Sequence, residues 1–305
     1  MKFTTTGFEN LGKLINPREC DVLLKSIYKT RNFQRIFLTE KEYKKQLTNK
    51  NTGRYGFNPR PGRNLLHKFD TNFIFEENRL DTPLKKILGN KYSYYDTKLV
   101  MGMPLNWVPE WIKLYTEDWH SPNLNQFIKP HYRDITYFKG LDFHQDIIDY
   151  PSKGPNFVTV YVYLEKVTSK MSPLVIVPHS HKFGATLYPH QIVRRKKTSF
   201  YYSGNNNQKL KCKFKYLYGS AGSVFVWHPF ILHGTQPNTG TDTPRISIRM
   251  IVEKDPNSLN QKKLIHLDKI NKQIKGHKSL EFTSDEFDKK GTLRKKGNQI
   301  NENLS

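Results

Sequence analysis

The chain of 305 residues carries 50 Lys and Arg against 27 Asp and Glu, a formal charge of +23, with a hydrophobic share of 36% and aromatic residues at 13%. Length and aromatic content suit one domain with extensions rather than wholesale disorder, and with no run near the roughly 18 apolar residues of a membrane helix and no apolar stretch in the leading MKFTTTGFENLGK, neither a membrane span nor a secretory leader is expected. Cys20 and Cys212 stand far apart in no CxxC pattern, which excludes a disulfide framework and a thiolate metal site and leaves His and carboxylates as metal ligands in a protein expected to be soluble and cytoplasmic.

Residues 1–95 mix helical and loop signals and are expected to pack on a core built from later residues. Asn16 and Pro17 ahead of Glu19 make a helix start, and Val22, Leu23 and Ile27 supply an apolar stripe, which predicts a helix over about 17–30. Residues 51–64, dense in Gly, Pro and Asn, read as loop, and residues 83–90 as a short helix ending at Gly89.

Over residues 96–252 the pattern changes to short β-prone runs between turn residues: YFKGLDFHQDII, NFVTVYVYLEKV, SPLVIVPHSH, GSVFVWHPFILHG and RISIRMIVE. Repeated short strands of this kind predict a mainly β barrel or sandwich. Within this region the basic runs at 194–197 and 209–215 flank the Gly- and Asn-rich SGNNNQ, and read as a solvated basic hairpin or as a lid that attracts an anion. Residues 253–305 are expected to be a polar basic extension, partly helical or disordered, with no chemistry assigned.

The words that carry chemistry are FHQD at 143–146 and LHGT at 232–235. Side chains alternate along a strand, so His144 and Asp146 point the same way and Gln145 points elsewhere. Two His and one carboxylate on one face of an ion make the facial triad of non-haem iron(II) oxygenases. His233, at the end of an apolar run and before the turn GTQPNTG, is placed to be the distant third ligand. Arg245 follows at the start of RISIRM, where its guanidinium fork can hold a carboxylate in two parallel hydrogen bonds.

These motifs, HQD at 144–146, the run PLVIVPHSHKFG from Pro173 to Gly184, and HGTQPN from His233 followed by Arg245, resemble the phytanoyl-CoA dioxygenase family over roughly residues 140–252. One departure is His179, which stands where the family usually has Gly before the Ser-His pair; it falls in a turn rather than on a ligand. The resemblance implies a double-stranded β-helix, a jelly-roll of two sheets, flanked here by N- and C-terminal helices. It implies iron(II) held by His144, Asp146 and His233, and 2-oxoglutarate anchored by Arg245 with help from the Thr235 hydroxyl. Tyr161 is open to two readings, an aromatic laid against the cosubstrate or plain core packing, with Thr159, Tyr161 and Tyr163 on one face. Gln145 is a candidate contact to cosubstrate or substrate. The implied reaction is hydroxylation of an unactivated C–H bond of a small molecule by dioxygen, with release of succinate and CO2.

Other histidines are set aside. His228 precedes Pro229 and lacks the Gly-Thr continuation, His179 and His181 flank Ser180 in a turn, and His120, His131 and His190 have no motif around them. The Lys residues are spread along the whole chain, which fits generic solvation, although the charge would also suit an anionic small molecule or nucleic acid. A nucleic-acid-binding or repair protein and a non-catalytic jelly-roll module are the competing classes; no nucleic-acid-binding motif accompanies the charge.

Overall fold

The computed structural model describes residues 2–48, 59, 63–117, 123–149, 156–186, 190, 192–196, 199–203 and 209–255. Most of the loop expected at 51–64, residues 204–208 of the Gly-Asn stretch, and the basic extension beyond Asp255 therefore lie outside the described residues.

The described chain runs α1 (Lys2–Thr6), β1 (Phe8–Lys13), α2 (Pro17–Lys29), α3 (Glu40–Thr48), α4 (Asp81–Leu88), β2 (Tyr92–Gly102), α5 (Glu110–Tyr115), β3 (Thr136–Phe138), β4 (Leu141–His144), β5 (Phe157–Tyr163) and β6 (Leu174–Val177). It continues through β7 (Ile192–Lys196), β8 (Ser199–Ser203), β9 (Lys209–Lys211), β10 (Lys215–Leu217), β11 (Ser223–Trp227), β12 (Leu232–Thr235) and β13 (Arg245–Lys254), with short 3-10 turns between. The helix predicted from residue 17 starts at Pro17, where the Asn16 side chain accepts the Arg18 N–H at 3.0 Å. Its buried stripe is Cys20, Leu23 and Ile27, while Val22 is 59% exposed. The second predicted helix, α4, ends on Gly89 at φ 96, a backbone conformation that glycine adopts without a Cβ clash.

The strands form a jelly-roll. A six-stranded sheet in the order β1-β11-β5-β13-β2-β3 faces a four-stranded sheet in the order β10-β6-β12-β4, and a three-stranded sheet β7-β8-β9 lies outside. Pairings are antiparallel except β2 with β3. Alternation sorts each strand of the large sheet into two faces. Ile246, Ile248, Met250 and Val252 of β13, and Val158, Val160 and Val162 of β5, join one core cluster with helical residues such as Leu23, Ile27, Leu84 and Leu88. The opposite faces look into the space between the sheets, where Tyr161, Tyr163, Leu174, Ile176, Phe225 and Trp227 cluster. Burial of each large aliphatic side chain contributes roughly 1.5–3 kcal/mol, so the helices cover one face and leave the other to line the interior.

The N-terminal region, read as helix and loop, also contributes strand: β2 begins within it at Tyr92. The same region supplies β1, which pairs with β11 at the edge of the large sheet, Phe8 opposite Trp227. FENLGK has no clean period-2 pattern, so nothing local marks it as a strand. The pairing is specified by its partner: Leu14 and Ile15 N–H both donate to the Gly222 carbonyl at 3.1 Å.

Candidate metal centre

β4 ends at His144, and Gln145 continues extended at φ -114 and ψ 134 before Asp146 opens a 3-10 turn. That one extended residue preserves the alternation past the end of the strand, so His144 and Asp146 share a face. β12 pairs with β4 and sets His233 directly opposite His144, ring centroids 4.2 Å apart. One ligand atom from each of His144, Asp146 and His233 lies within 4.8 Å of the others. His233 Nδ1 faces the Ile231 carbonyl at 3.1 Å, which assigns its proton there and leaves Nε2, 3.6 Å from Asp146 Oδ2, as the lone-pair donor.

Asp146 is 1% exposed. Arg249 Nη2 donates to its Oδ1 at 2.5 Å, and Thr159 Oγ1 and Trp227 Nε1 donate to Oδ2 at 2.6 and 2.8 Å. Burial opposes the carboxylate, but Arg249, His233, His144 and the Thr159 hydroxyl outweigh it and hold Asp146 well below the usual carboxylate range. His233 is pushed down to about 3, by burial first, with the Asp146 charge opposing. One ionised carboxylate and a neutral buried imidazole are the protonation states that a divalent transition-metal ion requires of its ligands.

A second group lies on the same interior face of β13. Arg245 is 1% exposed and its Nη1 donates to the Tyr161 hydroxyl at 2.7 Å. Tyr161 in turn stacks on Trp227 at 5.6 Å. Gly102 pairs with Arg245 in register and lies against the Arg245 guanidinium. Ser172, beside Gly102, donates to the Gln236 carbonyl next to Thr235, which brings the Thr235 end of β12 to the same neighbourhood. Arg245 Nε, Thr235 Oγ1 and Ser247 Oγ are buried with no hydrogen-bond partner among the described residues. Buried polar groups are normally paired; guanidinium and hydroxyl donors are the set that accepts a carboxylate. The residues thus fit an iron(II) ion at the triad and a dicarboxylate reaching toward Arg245.

The structure brings His144, Asp146, His233, Tyr161, Thr235 and Arg245 into the space between the sheets. Gln145 is the exception and its expected ligand contact is corrected. Its amide donates to Gly184 O at 2.9 Å and Phe230 O at 2.8 Å and accepts Thr186 N–H at 3.0 Å, so it braces loops on the far side of the strand. The strand alternation that pairs His144 with Asp146 is what turns it away. His228 accepts the Phe230 N–H at 3.0 Å and packs on His181 at 5.5 Å, a pair apart from the triad. His179 adopts φ 70, the left-handed turn conformation that explains glycine at this place in relatives of the motif. Sequence reasoning set Thr159 on the face of Tyr161 but gave it no contact with Asp146, and missed Trp227, Arg249 and Ser247; for the two β13 residues the signal was available, since positions two and four beyond Arg245 share its face. It also passed over His190, whose Nδ1 contacts Thr186 Oγ1 at 2.7 Å and whose pKa is pushed down to about 3 by burial and then by His144 and His233.

A sequence profile of the family described as Phytanoyl-CoA dioxygenase (PhyH) matches residues 4–247. A curated relative, a probable alpha-ketoglutarate-dependent hypophosphite dioxygenase of Stutzerimonas stutzeri, is 28% identical over 103 residues, which are 33% of this chain and 35% of that one. The chain thus aligns with about a third of the length of that relative. Among solved structures, the epimerase SnoN in complex with Fe3+, alpha ketoglutarate and nogalamycin RO is similar at 13% identity and TM-score 0.46, over 83% of this chain and 81% of that one. AviO1 from Streptomyces viridochromogenes Tue57 is similar at 15% identity and TM-score 0.45, over 86% and 95%.

Proposed function

Since the chain belongs to the phytanoyl-CoA dioxygenase family, we propose that it is an iron(II)- and 2-oxoglutarate-dependent dioxygenase that hydroxylates an unactivated C–H bond of a small molecule. The observation that carries this reading is the convergence of His144, Asp146 and His233 within 4.8 Å between the two sheets. When bound, iron(II) and 2-oxoglutarate supply the activation of dioxygen, with decarboxylation to succinate.

The protein's own residues hold and orient. His144, Asp146 and His233 are the metal ligands, and Arg249, Thr159 and Trp227 fix the Asp146 carboxylate by three hydrogen bonds. Arg245, positioned by the Tyr161 hydroxyl, anchors the far carboxylate of 2-oxoglutarate with Thr235. Tyr161, Trp227 and Phe225 make the surrounding wall apolar and exclude water, which strengthens these charge-assisted contacts. The buried free thiols of Cys20 and Cys212 suit the reducing cytoplasm, where we place the reaction. No helix among the described residues is long and apolar enough to cross a membrane.

The test is iron-dependent succinate formation from 2-oxoglutarate by the full chain, measured as slow uncoupled turnover without a primary substrate. Succinate that forms equally well with the iron chelated would sink the proposal. No observation favours the nucleic-acid reading or the non-catalytic module.

A further inference from the structure

An easily oxidised ring stands against the metal centre. Trp227, at the end of β11, is 1% exposed and belongs to the cluster between the sheets. Its Nε1 donates to Asp146 Oδ2 at 2.8 Å, the same oxygen that lies 3.6 Å from His233 Nε2. Its ring centroid is 4.9 Å from that of His233. The indole therefore touches two of the three residues that converge at the centre.

Position and electron density together single out this ring. An indole carries the most electron-rich face of the aromatic side chains. Here its N–H donates to a carboxylate that stays ionised despite burial, and a proton shared with an anion leaves more density on the ring. Tyr161, stacked on Trp227 at 5.6 Å, has the opposite kind of partner: the Arg245 cation donates to its hydroxyl at 2.7 Å and draws density away. The sulfur side chains are placed less closely. Cys20, Met101, Met103 and Met250 belong to the core under the helices, and Cys212 to the cluster with β7 and β8. Met171 packs against the interior cluster, with no ring or hydrogen-bond contact to the triad.

Resting on the iron and 2-oxoglutarate reading above, we infer that Trp227 is a self-modification site, hydroxylated at a carbon of its indole ring when the centre consumes 2-oxoglutarate with no primary substrate bound. The net reaction uses one dioxygen and one 2-oxoglutarate. A ring C–H becomes C–O–H; one atom of dioxygen enters that hydroxyl, the other enters succinate, and the lost carboxylate leaves as CO2. Decarboxylation supplies half of the electrons that dioxygen takes up and the ring carbon supplies the other half, so no outside reductant is needed. Burial is no protection, since the oxidising chemistry arises inside the same wall. The primary substrate, when bound, is the competing C–H donor, and a modified Trp227 records turnover in its absence.

The full chain is incubated with iron(II), 2-oxoglutarate and dioxygen labelled with heavy oxygen, without primary substrate. Succinate is measured in parallel, and the digested protein is mapped by mass spectrometry. The peptide that holds Trp227 should gain the mass of one labelled oxygen atom, localised to Trp227 by fragmentation. The gain should be lost when 2-oxoglutarate is omitted or the iron is chelated. Succinate formation with Trp227 unlabelled overturns the inference, as does label on Tyr161 or Met171 in its place. Label on Trp227 that persists without 2-oxoglutarate also overturns it, because general metal-driven oxidation then accounts for the product. If the wild type forms no succinate at all, the iron and 2-oxoglutarate reading fails and this inference falls with it.

Discussion

At the scale of single residues, the proposed site rests on a contrast between histidines that converge and histidines that do not. His144→Ala, Asp146→Ala and His233→Ala should each lower iron affinity and abolish iron-dependent succinate formation, because each removes one of only three protein ligands. His228→Ala should keep the iron, since its ring accepts the Phe230 N–H and packs on His181. Loss of activity in His228→Ala with retention in His233→Ala would reverse the distal assignment. Arg245→Lys keeps the charge but not the fork, and with the Tyr161 contact at 2.7 Å positioning the native guanidinium, 2-oxoglutarate affinity should fall about tenfold. Equal affinity in that variant, measured by equilibrium titration, would move the anchor elsewhere.

At the scale of elements, β1 shows how a segment without a strand signal of its own joins a sheet. It is clipped to the jelly-roll at Gly222, whose carbonyl accepts the Leu14 and Ile15 N–H groups and whose own N–H donates to Tyr163 O at 2.8 Å. Gly222 sits at φ +82, and a Cβ there would lie 2.0 Å from the Ile15 carbonyl oxygen. Gly222→Ala should therefore cost about 3 kcal/mol in denaturant unfolding, backbone strain plus a clash with main chain. Gly12 on β1 has a similar φ of +78 but nothing within 4 Å, so Gly12→Ala should cost only about 1 kcal/mol. Equal losses in the two variants would mean that the N-terminal strand is not held at Gly222.

At the scale of the whole molecule, buried titratable groups give the metal-free protein a pH dependence whose sign can be worked out. His233 and His190 are each pushed from 6.5 down to about 3. Unfolding lets them take up protons between those values, so their contribution to stability is lost as pH falls from 6.5 toward 3. Glu165 runs the other way: burial raises it from 4.5 to about 7, so its contribution weakens as pH rises across that window. The opposing trends overlap between 4.5 and 6.5, and below 4.5 the histidines act together with the depressed carboxylates, Asp146 and the surface groups Glu42 and Asp81. Thermal unfolding of the metal-free chain should thus drop clearly below pH 4.5, and a midpoint that stays level there would contradict the neutral-imidazole reading of the centre. The charge of +23 makes a different prediction. If it is general solvation, affinity for duplex DNA should be weak and collapse with added salt, as phosphate contacts alone would dictate; tight, sequence-selective binding at physiological salt would reopen the nucleic-acid reading.

Period-2 alternation and the motifs HQD and LHGT were enough to predict the strand-rich core, the shared face of His144 and Asp146, and the candidate triad, because these depend on local geometry that repeats wherever a chain is extended. The start of α2 at Pro17 was legible for the same reason, as its cap lies within two residues of the sequence. Pairing was not legible. The β12–β4 register that sets His233 against His144, the β13–β2 register that sets Arg249 against Lys98, and the docking of β1 on β11 join segments far apart in the chain. The hydrogen bonds that Arg249, Thr159 and Trp227 make to Asp146 follow from those pairings. Such contacts are chosen by which faces bury together and which backbone groups find partners, a competition among all strands at once that no single stretch of residues encodes.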